Sequence, residues 1–157
     1  MAITGIISKY PSTLIYQLKS VEKMPLEIFE TAEFGSKYVA QSIAWAIKRK
    51  EQLGQTTVLG LATGSSPIKI YGELVRMHKE EGLSFKNVVT FNLDEYYGLT
   101  HDDPQSYHYF MHEHLFQYID IPKENIYIPD GTIPMDQVSK YCDHYEKQIQ
   151  LHGGLDI

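Results

Sequence analysis

Short apolar runs alternate with amphipathic segments along most of this chain, and that alternation is what most narrows the folds open to it. "TTVLGLA" and "VVTFNL" read as buried strands. Before the first, "LEIFET" alternates briefly, and Thr31 then offers an N-cap for a helix with Val39, Ile43, Ala46 and Ile47 on its apolar face. Gly54 follows the basic end "IKRKEQ", where a helix commonly stops. Between the two strands, Ser66 and Pro67 predict the cap and first turn of a second helix, which shows Ile68, Tyr71, Leu74 and Val75 on one side and closes at Gly82.

After "VVTFNL", a polar connection through Asp102, Asp103 and Pro104 leads to a predicted helix over about 105–118. "ENIYIPDG" predicts another strand and turn. A fourth helix carries Val138, Tyr141, Tyr145 and Ile149 at spacings of three or four, and "GGLDI" reads as a loop entering one more strand. Strands alternating with helices predict an α/β chain: a parallel sheet with helices on both faces and right-handed crossovers, Rossmann-like and doubly wound. A chain that stops just inside an apolar strand reads as a truncated one, with a short edge strand at a natural C-terminus as the other reading.

The 157 residues suit one domain with a single core, and 43% hydrophobic with 22% charged residues is a globular composition. Fourteen basic residues against 20 acidic give a formal charge of −6 without a basic run, so neither nucleic acid nor a membrane surface is an expected partner. A small anion remains possible wherever donors are focused locally. Cys142 is the single cysteine, which excludes an internal disulfide framework and points to a reducing, cytoplasmic setting. No signal-peptide or membrane-spanning run is present. Residues 1–25 mix apolar and polar types without period and contain Pro11 and Pro25; they are expected to form an arm, leaving 26–157 as the domain.

In a parallel sheet, all strand C-terminal ends share one rim, and ligands usually sit outside it. The loop after "VLGLA" offers Thr63, Gly64, Ser65 and Ser66 just before a helix, a combination of N–H groups, hydroxyls and helix dipole that suits a phosphate. It lacks a Walker lysine and is no GxGxxG. A tight turn with a serine cap explains the same residues. The loop after "VVTFNL" carries Asp94 and Glu95. Adjacent strand residues point to opposite faces, so at most one of the two would point into the crevice if the strand continued that far, and Asp94, the earlier, is the candidate. An exposed aspartate is ionised at neutral pH and can take a proton from a carbon acidified by a neighbouring carbonyl or iminium. A solvated aspartate in a turn is the other reading.

His108 and His112, four apart, could share a helix face beside Glu113 and His114. The pattern is not HExxH, and amphipathic surface histidines explain it, so no metal site is expected. Cys142 reads as packing or surface rather than as a nucleophile.

"VLGLATGSSPIKIYGELVRMHKEEGLSFKNVVTFNLDEYYGL", with "DDPQSYHYFMHEHLF" and "IDIPKENIYIPDG" after it, closely resembles the glucosamine-6-phosphate deaminase (isomerase) family over about 26–157. The resemblance implies conversion of glucosamine 6-phosphate and water to fructose 6-phosphate and ammonia, with no metal or organic cofactor. It implies that Thr63, Gly64, Ser65 and Ser66 hold the sugar phosphate, and that Asp94 moves a proton between C2 and C1 through an enolamine. Glu95 and Tyr96 also match, as residues shaping the pocket. In the family, the strand that begins like "GGLDI" runs into a glycine-rich loop with an aspartate, a histidine that assists ring opening and a glutamate, and later basic residues complete the phosphate site. None of these follows Ile157 here. The expectation is therefore that the parent protein is the enzyme and that this chain alone is inactive. A 6-phosphogluconolactonase-like hydrolase and a non-catalytic phosphosugar-binding module are the alternatives. Family members often form homo-oligomers, so a homo-oligomer is a possible partner state.

Overall fold

The computed structural model describes residues 26–157, so the arm expected over 1–25 lies outside the described residues. The chain divides into two units, Met1–Glu30 and Thr31–Ile157. Residues 26–30 form neither helix nor strand, and Leu26 and Ile28 are exposed, so the brief alternation of "LEIFET" does not build a strand.

Helix α1, Ala32–Gln52, begins where Thr31 Oγ1 accepts the N–H of Phe34 at 3.3 Å, the predicted cap. It ends with Arg49 and Lys50 in the last turn, where cations suit the negative end of the dipole. The buried stripe is Ala40, Ile43, Ala44 and Ile47, rotated from the expected one: Val39 is exposed and Ala46 only half-buried. Strand β1, Thr57–Leu61, leads to helix α2, Ile68–Glu81, whose buried residues are Tyr71, Leu74 and Met77, while Ile68 and Val75 are half-buried. Gly82 closes α2 at φ +71°, a left-handed cap that glycine adopts without a Cβ penalty.

Strand β2, Val88–Asn92, is buried along its whole length. Helix α3 spans Tyr107–His114, half the expected length. Ser106 caps it by accepting the Tyr109 N–H, and Leu115, at φ −140°, breaks it before a single 3-10 turn at Phe116–Tyr118. Strand β3 is only Ile126–Tyr127, and helix α4 runs over Val138–Leu151. The predicted face of α4, Val138, Tyr141, Tyr145 and Ile149, is half-buried throughout.

All three strands are parallel in the order β1-β2-β3, with Leu61 opposite Asn92 and Phe91 opposite Tyr127. Residues 155–157 lie along the free edge of β1: Asp156 N–H donates to Val58 O at 2.8 Å, and Gly60 N–H to Ile157 O at 2.7 Å. The paired numbers rise together, so this segment also runs parallel. The sheet itself has three strands, and residues 155–157, which form no strand, lie beside β1 on the side away from β2, where a doubly wound fold reverses its strand order. Asp156 fastens the segment, accepting Val58 N–H at 2.8 Å and pairing with Lys50 of α1 at 2.6 Å.

The pleat divides the core in two. Leu59, Leu61 and Val88 face α1, α2 and α3 in the larger cluster, with Leu74, Phe85, Met111 and Leu115 fully buried. Val58, Val89 and Phe91 face the other way, towards Tyr127 and towards Tyr145 and Ile149 of α4. Helices therefore cover both faces, as the alternation predicts.

Candidate functional site

The last register pair of β1 and β2 sets the site. Leu61 stands opposite Asn92, and Leu93 N–H donates to Leu61 O at 3.2 Å, so the chain leaves both strands at the same level. Neighbouring strands are about 4.8 Å apart. Thr63 and Asp94, each two residues past that pair, start their loops side by side on one rim.

In the first loop, Gly64 takes φ +103° and Pro67 occupies the cap position of α2 at φ −79°, with no side-chain capping bond. This corrects the expected serine cap. The first intrahelical bond runs from Tyr71 N–H to Pro67 O at 2.9 Å, and Ser66 Oγ accepts no N–H of the first turn. Among the described residues, no hydrogen bond engages the side chains of Thr63, Ser65 or Ser66, and no backbone bond uses the N–H of Gly64, Ser65 or Ser66. Tyr71 of α2 anchors the loop from beneath, donating its hydroxyl to Ala62 O at 2.5 Å; burial pushes this phenol up to about 12, which keeps it a donor. Thr63 is half-buried and Gly64, Ser65 and Ser66 are exposed, so free donors stand at the positive end of a 14-residue helix, an arrangement that suits an anion.

The two carboxylates of the second loop behave differently. Asp94 is exposed and, among the described residues, has no hydrogen bond or ion pair. Glu95 is half-buried and fully engaged: Oε1 accepts the N–H groups of Tyr96 and Tyr107, both at 2.8 Å, and Oε2 accepts that of His108 at 2.9 Å. Glu95 thus closes the N-terminus of α3. The strand has already ended at Asn92, so it is this capping, rather than strand alternation, that separates the pair. Tyr96 is half-exposed with its ring 4.7 Å from that of Tyr107.

A cavity of about 390 Å³ opens beside Asp94, lined also by Glu95, Tyr97, Asp130, Tyr141 and Tyr145. Thr63, Gly64, Ser65 and Ser66 do not line it; it lies on the β3 and α4 side of the rim, whereas the first loop stands on the β1 side. Two residues here escaped the sequence reading. Tyr145, assigned there only to a helix face, donates its hydroxyl to Asn92 O at 2.8 Å and Tyr127 O at 3.0 Å, tying α4 to the ends of β2 and β3. Asn92 is 2% exposed, and its amide has no partner among the described residues.

The histidines form a stack rather than a ligand set. The His101 and His108 rings lie 4.1 Å apart at 7°, with His112 5.9 Å beyond His108. Burial, then the neighbouring His101 and His112, push His108 below the usual imidazole range. Among the described residues, no group of three or more His, Cys, Asp or Glu side chains is arranged to hold a metal, and no helix is long and apolar enough to cross a membrane. Cys142 is exposed on α4.

A parallel α/β sheet with a loop of free donors and an unpaired carboxylate on one rim defines a doubly wound α/β domain, the class whose ligands sit outside the strand C-terminal ends. Within that class, the chain belongs to the family of glucosamine-6-phosphate isomerases and 6-phosphogluconolactonases, whose model matches residues 30–156. A glucosamine-6-phosphate deaminase of Thermoanaerobacter sp. (strain X514) is 47% identical over 122 residues, 78% of this chain and 46% of that one. The solved structure of a monomeric glucosamine-6-phosphate deaminase superposes with a TM-score of 0.78 at 41% identity, over 85% of this chain and 53% of that one. A 6-phosphogluconolactonase from Thermotoga maritima, at 24% identity and a TM-score of 0.63, shares the fold. The chain spans half or less of the length of the curated relatives it matches.

Proposed function

We propose that this chain supplies the phosphate loop and the proton-transfer base of a glucosamine-6-phosphate deaminase, an enzyme that converts glucosamine 6-phosphate and water to fructose 6-phosphate and ammonia. The observation that carries the reading is the Leu61–Asn92 register, which starts an unspent donor loop and an unpaired aspartate side by side. The deaminase relatives near 47% identity support the choice of substrate, and the single cysteine supports a cytoplasmic setting.

Thr63, Gly64, Ser65 and Ser66 hold the phosphate at one end of the open-chain sugar, so the carbons at the other end are placed by the length of the molecule. Asp94 removes the proton from C2, and the electrons pass to the C1 carbonyl to give an enolamine. Return of the proton to C1 leaves an iminium at C2; water adds there, and ammonia departs as the C2 ketone forms. The steps up to the carbinolamine are proton transfers and a hydration; in the last, the amine takes a proton and leaves as the C2 hydroxyl loses its own and becomes the ketone.

Titration of the labelled 157-residue chain with glucosamine 6-phosphate tests the site. Amide signals of Gly64, Ser65 and Ser66 and those flanking Asp94 are expected to move and saturate together; movement of one loop alone, or of neither, overturns the shared site. In an enzyme of full family length carrying this chain, Asp94→Asn is expected to lower ammonia release by about 10²–10⁴-fold, the usual value of a positioned base. Release at the unsubstituted rate refutes the role of Asp94, and hydrolysis of 6-phosphogluconolactone without ammonia release refutes the choice of reaction.

A further inference from the structure

Past Asn92, the chain crosses to Ser106 without helix or strand, yet Asp94, near its start, must keep one position for the proton transfer proposed above. Two contacts from opposite sides hold this loop, and neither comes from Asp94. On one side is the Glu95 carboxylate, which accepts the N–H groups of Tyr107 and His108 while Ser106 Oγ accepts that of Tyr109. The first-turn donors of α3 are thereby satisfied by the loop and by the cap together, with negative charge at the favourable end of the helix. With both oxygens engaged, Glu95 is held in place beside its free neighbour.

On the other side is the turn after β3. Gly98 N–H donates to Gly131 O at 2.7 Å. The two backbones approach so closely that a Cβ on Gly131 would lie 2.3 Å from Tyr96 O and 2.9 Å from Leu99 O. Both obstacles are main-chain atoms, so no change of rotamer relieves the collision. Gly131 has no positive φ, which leaves this approach as the reason a side chain cannot be accommodated.

We infer that Glu95 and Gly131 are positioning residues for Asp94: the first ties its loop to the N-terminus of α3, and the second admits the loop against the turn after β3. The inference rests on Asp94 being the proton-transfer base. Neither residue is assigned contact with the substrate.

Two variants test it, Glu95→Gln, which removes the carboxylate, and Gly131→Ala, which presses on the loop and leaves α3 untouched. In the 157-residue chain, Glu95→Gln is expected to speed hydrogen exchange at Tyr107 and His108 by about tenfold or more, the loss of a charge-assisted bond. Gly131→Ala is expected to leave those two amides protected. Both variants are expected to shift the Asp94 side-chain carboxyl signal and to leave inorganic phosphate binding at Gly64, Ser65 and Ser66 unchanged. In an enzyme of full family length, both lower kcat by about 10–100-fold at unchanged KM, as a displaced catalytic group does.

An unmoved Asp94 signal with unchanged kcat in both variants overturns the inference and reduces Glu95 to a helix cap. If Glu95→Gln does not fold, Gly131→Ala decides alone by the same two readouts. Should the unsubstituted enzyme release no ammonia, the proposed function fails, and the Asp94 signal still reports whether the two contacts set its position.

Discussion

Replacing Asp156 by asparagine tests how residues 155–157 are held on the sheet. The carboxylate accepts Val58 N–H and pairs with Lys50, and both ionic side chains are 29% exposed, so the pair is only partly screened by water. Asparagine keeps a carbonyl oxygen for Val58 and loses the charge. A hydrogen bond to a charged group contributes about 1.5–3 kcal/mol, and an exposed ion pair under about 1. With partial exposure, the loss is about 1.5 kcal/mol, or about 3–6 °C in Tm for a domain of this size.

The loss should also depend on pH. Burial favours the protonated form of Asp156, but the hydrogen bonds and charge of Lys50 and the Val58 N–H outweigh it and hold the native carboxyl below the ordinary aspartate range. The stabilisation is therefore complete above the unfolded pKa of about 3.9 and disappears as pH falls through the lower native value. Urea unfolding of both proteins, stepped downward from neutral pH, should show a gap that closes in this acidic window. No gap at neutral pH, or one that persists undiminished below about pH 3, refutes the assignment of the stabilisation to an ionised Asp156.

Tyr145→Phe removes the hydroxyl from Asn92 O and Tyr127 O, so stability should fall by about 1–2 kcal/mol in urea titrations, with faster amide exchange along α4. The His108 ring should titrate below the ordinary imidazole value of about 6.5 in a proton NMR titration. Because burial depresses its native pKa, stability should fall as pH drops from that ordinary value towards the native one, and His108→Phe should flatten this part of the profile.

The elements legible in the sequence were those with local chemistry: the Thr31 cap, the glycine stop at Gly82, and two strands whose apolar runs need no partner to be recognised. The face of α1 was misjudged because Val39 is more hydrophobic than Ala40 or Ala44. Where α1 packs on the larger core, small side chains let the backbones approach, and Ala40 and Ala44 fill that need while Val39 remains outside. At the rim, residue type singled out Asp94 and the donor loop only as candidates, and nothing local distinguished Glu95 from its neighbour. Besides the adjacent Tyr96 N–H, the groups that engage it are 12 and 13 residues further along, and only folding brings those two to it. Gly131 was equally silent, since its requirement comes from a backbone more than 30 residues earlier.

The two sides of the sheet are insulated unequally. Among the described residues, three buried side chains lie in the cluster beneath α4 against sixteen in the other, so α4 is the element that should detach first when the domain breathes. Its main polar tether at the sheet is a single phenolic hydroxyl shared between two carbonyls, and the cavity beside Asp94 has that helix as one wall. Swinging α4 outward would enlarge the chamber beside Asp94 without disturbing the donor loop at β1.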